Sequence, residues 1–170
     1  MTIDMAGVAV NSIVDGPGIR TTYFAQGCPH HCEGCHNPET WAFGAGTPAE
    51  TAELAEIAYR DPLCRGVTFS GGEPFAQAEG FCELAEMLKA RGYEIASYSG
   101  FTFEQLRKGS AAQRKLLSLL DVLVDGPFVL SQRSLELAFR GSRNQRIIDV
   151  QKSLAAGEVV LAPARWQGEF

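Results

Sequence analysis

The chain has 170 residues, a formal net charge of −5 and a pI near 5.2, with 45% hydrophobic residues. That length predicts one domain spanning residues 1–170, with room for a core but short of the roughly 250 residues of a closed eight-stranded barrel. The acidic balance argues against binding nucleic acid or an anionic membrane, no apolar run approaches the ~20 residues needed to span a bilayer, and no cationic start precedes the first apolar stretch. A reducing cytoplasm is the expected compartment.

Met5 to Ile13 reads as a first strand running into the turn Asp15-Gly16-Pro17-Gly18, where glycine supplies positive φ and Pro17 fixes its own. Thr21 to Ala25 is β-prone and delivers the chain to Gly27-Cys28-Pro29-His30-His31-Cys32-Glu33-Gly34-Cys35-His36-Asn37. Three of the five cysteines fall within eight consecutive residues of that loop. An odd total with no secretory signal argues against a disulfide framework. Two metal centres remain open: a four-iron cluster on three cysteines, which leaves one iron free for substrate, and a zinc ion with His30, His31 or His36 as fourth ligand. Cys64 and Cys82 are isolated in sequence and read as small buried hydrophobes.

Beyond the loop, Trp41 and Phe43 read as packing over the centre. Thr47-Pro48-Ala49-Glu50 predicts a helix start, with Thr47 as N-cap and Glu50 closing a capping box, and Asp61-Pro62 ends that helix. Gly66 to Ser70 reads as a buried strand stopping at Gly71-Gly72-Glu73-Pro74. The next helix carries Phe81, Leu84, Ala85 and Leu88 on one face and closes at Gly92. Paired glycines at such a turn would let a ligand approach the backbone closely. Glu94 to Ser99 is the following strand. Thr102 with Gln105 and Ser110 with Gln113 are two further capping boxes, and Val122 to Val124 is a strand with Asp125 at its end. From Ser131 the pattern weakens: Ile147-Ile148 and Val159 to Leu161 read as short strands, and residues 161–170 as a loose tail. Strand, loop and helix thus alternate at least three times, the pattern of a mostly parallel sheet in an α/β fold. Cys28 to Cys35, Gly71 to Glu73, Ser97 and Asp125 all fall at or just after strand ends, which predicts one shared rim. No internal repeat is visible, nor any His–carboxylate pairing for acid–base catalysis.

Gly16-x-Gly18-x-Arg20, Phe24, Gly27, the three cysteines, Asn37 and the turn Ser70-Gly71-Gly72-Glu73-Pro74 together resemble the radical S-adenosylmethionine superfamily, and within it the activating enzymes of glycyl-radical enzymes. Gly27 to Trp41, Val124 to Phe128 and Arg140 to Gln145 are most similar to the branch of that family acting on anaerobic ribonucleoside-triphosphate reductase. Activases of pyruvate formate-lyase carry Asp where this chain has Ser97, and Asp-Leu-Lys where it has Asp125-Gly126-Pro127. The resemblance implies an incomplete, open β/α barrel. It also implies a [4Fe-4S] cluster on Cys28, Cys32 and Cys35, and S-adenosylmethionine bound by Gly34, Cys35, His36, Asn37, Gly71, Gly72, Glu73, Ser97 and Asp125. The reaction implied is reductive cleavage to a 5′-deoxyadenosyl radical that abstracts hydrogen from a glycine of the reductase catalytic subunit. The electron comes from an external low-potential donor.

Overall fold

The computed structural model describes residues 1–168. Its strands and helices, in chain order, are β1 (Thr2–Ser12), β2 (Arg20–Ala25), β3 (Thr47–Glu50), α1 (Thr51–Tyr59), β4 (Gly66–Gly71), α2 (Ala78–Ala90), β5 (Glu94–Tyr98), α3 (Phe103–Arg107), α4 (Ala111–Leu119), β6 (Val122–Asp125), β7 (Arg146–Asp149) and α5 (Val150–Ala156). The seven strands form one open sheet in the order β3-β1-β2-β4-β5-β6-β7. The central four run parallel, in register Thr22↔Thr68↔Ala96↔Val122 across β2, β4, β5 and β6. β1 and β7 flank them antiparallel, and β3 pairs antiparallel with β1 at the edge, an arrangement that the alternating pattern alone does not reveal.

Side chains alternate cleanly across the sheet, because successive strand residues face opposite sides. Tyr23, Val67, Phe69, Ile95, Leu123 and Ile148 face the helices and meet Leu54, Phe81, Leu84, Leu88, Leu116 and Leu117 in the main core. Ala96, Val122, Val124 and Ile147 face the other way, against Ala162 and Trp166. The sheet is therefore buried on both faces, which accounts for the near-continuous apolar runs of its inner strands.

The two capping boxes at Thr102/Gln105 and Ser110/Gln113 form as expected, each with both reciprocal bonds. Residues 47–50 depart from expectation: they form β3, pairing Pro48 with Asp4 and Glu50 with Thr2, and α1 starts only at Thr51 with no side-chain cap. Glu50 instead accepts from the Thr2 hydroxyl at 3.0 Å and from the amino terminus at 3.3 Å. Pairing with a distant strand has overridden a local capping signal, and Pro48 is tolerated because β3 is an edge strand.

The expected loose tail is also corrected. Ala162 N–H donates to Ile147 at 2.9 Å, and Trp166 is fully buried beneath the sheet. Its ring carries the Arg20 guanidinium 5.0 Å from its centroid, while Arg165 pairs with Glu94. Residues 169 and 170 of that predicted tail lie outside the described residues.

Candidate cluster and cofactor site

Cys28 follows the C-terminal end of β2 and Gly71 closes β4, while Gly100 lies two residues past β5 and Asp125 ends β6. Because these strands are parallel, all four points lie on one rim, where open α/β sheets place their sites. The cysteine loop is fastened there by its backbone. Gly27 N–H donates to Thr40 at 2.6 Å, Cys28 N–H to Trp41 at 3.1 Å, and Glu73 N–H to Gly27 at 2.8 Å. The chain enters the left-handed region at His31 (φ 47°) and Gly34 (φ 76°), the residues immediately before Cys32 and Cys35. These reversals let successive cysteines share one concave turn. The positive φ at Gly34 favours glycine, and a Cβ there would also have to displace the Leu130 methyl 2.7 Å away.

All five cysteines are free, with Cys28 buried and Cys32 and Cys35 partly accessible. Burial pushes the Cys28 thiol up, while the backbone amides of His30 and His31 act to lower it. Asn37 N–H points at Cys35 Sγ, 3.4 Å away, the kind of donor that stabilises a thiolate.

The three histidines are all engaged elsewhere. His30 Nε2 lies 2.6 Å from Glu73 Oε1 and its ring meets Phe101 edge-on. His31 stacks on Trp41, and His36 packs edge-on against Phe128. Among the described residues, no three His, Cys, Asp or Glu groups are gathered at the spacing of a single-ion site. Three free thiols on one loop are a donor set of the kind that holds an iron–sulfur cluster.

The diglycine turn serves the chain's own backbone. A Cβ at Gly71 (φ 93°) would fall 2.5 Å from Ala25 N, and one at Gly72 would meet Gly27 O. The close approach is thus between β4 and the stem of the cysteine loop, which ties the turn directly to the cluster ligands. Glu73 is fully buried and saturated: besides His30 it accepts from Ser99 Oγ at 2.9 Å, Gly100 N at 2.7 Å and Phe75 N at 3.1 Å. The His30–Glu73 pair at the rim is structural: it clamps the cysteine loop to the end of β5. Ser99, Gly100 and His30 were not legible as its partners from sequence.

Two of the predicted cofactor residues have partners within the protein. Ser97 lies inside β5 on the face of Ile95, fully buried, with its hydroxyl donating to Tyr98 O at 2.9 Å. Alternation from Ile95 puts it on the helix-facing side of the sheet. Asp125 does end its strand, but its carboxylate accepts from Phe103 N at 2.8 Å and from Arg146 Nε and Nη2 at 3.1 and 2.6 Å. It joins α3 to β7 instead of facing an open shelf.

Comparison with known proteins agrees with this geometry. Residues 14–148 match the family model described as a 4Fe-4S single cluster domain, so the class is that of a protein built around one such cluster. The anaerobic ribonucleoside-triphosphate reductase-activating protein of Escherichia coli (strain K12) is 36% identical over 141 residues, 78% of this chain and 90% of that one. The same-named protein of Vibrio cholerae is 35% identical over 143 residues (79% and 90%), and that of Enterobacteria phage T4 is 35% identical over 141 (79% and 86%). This chain belongs to the family of anaerobic ribonucleoside-triphosphate reductase-activating proteins. In fold alone, it resembles the crystal structure of QueE from Escherichia coli, with a TM-score of 0.51 at 18% identity over 60% of this chain and 54% of that one.

Proposed function

We propose that this chain installs a glycyl radical on the catalytic subunit of an anaerobic ribonucleoside-triphosphate reductase. It does so through reductive cleavage of S-adenosylmethionine at a [4Fe-4S] cluster held by Cys28, Cys32 and Cys35. The observation that carries this reading is the loop itself: three free thiols at the strand rim, with the Nε2 of His30 held by Glu73. When bound, the cluster supplies the low-potential electron that cleaves the sulfonium.

The chain's own part is to hold and orient. The backbone of Gly34, Cys35, His36 and Asn37 would hold the adenine of S-adenosylmethionine, and the turn of Gly71, Gly72 and Glu73 its methionyl group. The Glu73 carboxylate and His30 keep those two segments in fixed relation. Ser97 and Asp125 support the rim from within. We read the sheet as an incomplete barrel, whose open side suits a substrate that is a loop of another protein. The electron donor is external, and the working compartment is the cytoplasm. No helix among the described residues is long and apolar enough to cross a membrane.

Anaerobic reconstitution with iron and sulfide tests this. The expected outcome is a brown protein that, once reduced, converts S-adenosylmethionine to methionine and 5′-deoxyadenosine. A colourless protein that takes up zinc, or a loaded one that leaves S-adenosylmethionine intact, overturns it.

A further inference from the structure

Trp41 carries a polar group that the described residues leave unanswered. Its backbone carbonyl accepts from Cys28 N–H at 3.1 Å, and its ring stacks on His31 with centroids 4.7 Å apart and planes 6° from parallel. The indole therefore lies against the stretch joining Cys28 to Cys32. Its Nε1 is buried, and no acceptor among the described residues meets it. A buried donor left unmade costs about 1–3 kcal/mol, and indole nitrogen can only donate. What the loop lacks in the protein-only structure is the sulfur-rich group it is built to hold. Asn37 N–H, directed at Cys35 Sγ, shows that donors of this loop are already aimed at ligand sulfur.

We infer that the Trp41 indole N–H donates to a sulfur of the cluster or of its Cys28 or Cys32 thiolate, and so raises the cluster's reduction potential. Hydrogen bonds to sulfur stabilise the more negatively charged reduced state. The role is one of tuning: Trp41 sets how readily the centre accepts its electron without touching the reacting atoms. The inference rests on the cluster assignment made above. The second tryptophan, Trp166, also has an unpartnered Nε1, but it is buried against Arg20 at the opposite end of the parallel strands and serves as the control.

The test compares reconstituted wild type, W41F and W166F by iron and sulfide content and by a reductive titration followed by electron paramagnetic resonance. Phenylalanine keeps a ring to stack on His31 and removes only the N–H. W41F is expected to bind a full cluster but to need a more negative potential. Its reduction equilibrium should shift about five- to tenfold, or about 40–60 mV at 59 mV per tenfold for one electron. W166F should titrate with wild type. Should W41F fail to load, W166F protein labelled with 15N in its one remaining indole, Trp41, decides the matter: hyperfine coupling of that nitrogen and its exchangeable proton to the reduced cluster supports the bond, and no coupling overturns it. A loaded W41F of unchanged potential likewise overturns it and leaves the cluster assignment intact. A wild type that binds no iron would sink both.

Discussion

Cys28, Cys32 and Cys35, the three proposed cluster ligands, occupy different surroundings. Cys28 is buried at the strand end, while Cys32 and Cys35 lie on a turn with access to solvent. Iron binds thiolate, so loading must expel the Cys28 proton that burial favours, and a desolvated centre gains stronger bonds once formed. Cys64 and Cys82 belong to a different chemistry. Cys64 donates to Gly66 O at 3.1 Å and Cys82 to Ala112 O at 3.4 Å, both within the main core. Replacing Cys32 with Ser is expected to abolish iron and sulfide uptake, whereas Cys64→Ser and Cys82→Ser should retain it with a small loss of stability, as metal analysis of the three purified variants would show. Loss of iron in the Cys64 variant would contradict the ligand assignment. The three proposed ligands stand out in the sequence because their spacing is local. The saturation of Asp125 was not, since its partner Arg146 comes 21 residues later and only the antiparallel return of β7 brings them together.

At the scale of elements, the coupling that matters runs between the cysteine loop, the turn after β4 and the end of β5. Glu73 holds all three through His30, its own backbone N–H to Gly27, Ser99 and Gly100. Its carboxylate is fully buried, so removing it strands several donors at once. Glu73→Ala should therefore destabilise the metal-free protein by about 3–5 kcal/mol, read as a lowered midpoint in urea unfolding. It should also free the cysteine loop, seen as lost protection of the Gly27 to Asn37 amides from hydrogen exchange. An unchanged midpoint would show the clamp to be ornamental. The elements themselves were legible where local chemistry agreed with tertiary pairing, as at Thr102 and Ser110. They were misread at 47–50, where β1 recruited a capping sequence into the sheet.

For the whole molecule, the signature residues divide between two ends. The cluster loop lies at the C-terminal ends of the parallel strands. Arg20 begins β2 at the other end, buried, donating to Thr68 Oγ1, Val67 O, Pro17 O and Glu94 Oε1. The motif Gly16-x-Gly18-x-Arg20 is thus a floor plug closed by Trp166, for a Cβ at Gly16 would meet both Arg20 and that indole. This explains why residues 162–166 pack against the sheet, a feature no periodicity in them announces. Burial acts to raise the Glu94 carboxyl, but hydrogen bonds from Arg20 and Arg165 outweigh it and hold the group below its ordinary value. A carboxyl lowered in the folded state contributes stability that is present above its unfolded pKa and is lost as pH falls through the folded one. Glu94→Gln should accordingly be less stable than wild type near neutral pH. The gap in melting temperature should narrow as the pH falls from the ordinary glutamate value of about 4.3 through the lower one of the folded carboxyl. A gap independent of pH would contradict this account of the floor.

The central claim is that three cysteines leave one iron open to S-adenosylmethionine, on a rim open to a partner's glycine loop. Its most direct test mixes the reduced, reconstituted protein with an anaerobic ribonucleoside-triphosphate reductase and S-adenosylmethionine, and records the electron paramagnetic resonance spectrum. The account predicts the doublet of a glycyl radical, absent when Cys32→Ser replaces the wild-type protein. A fully loaded cluster that yields no doublet on a competent reductase, or a doublet that survives Cys32→Ser, would contradict it.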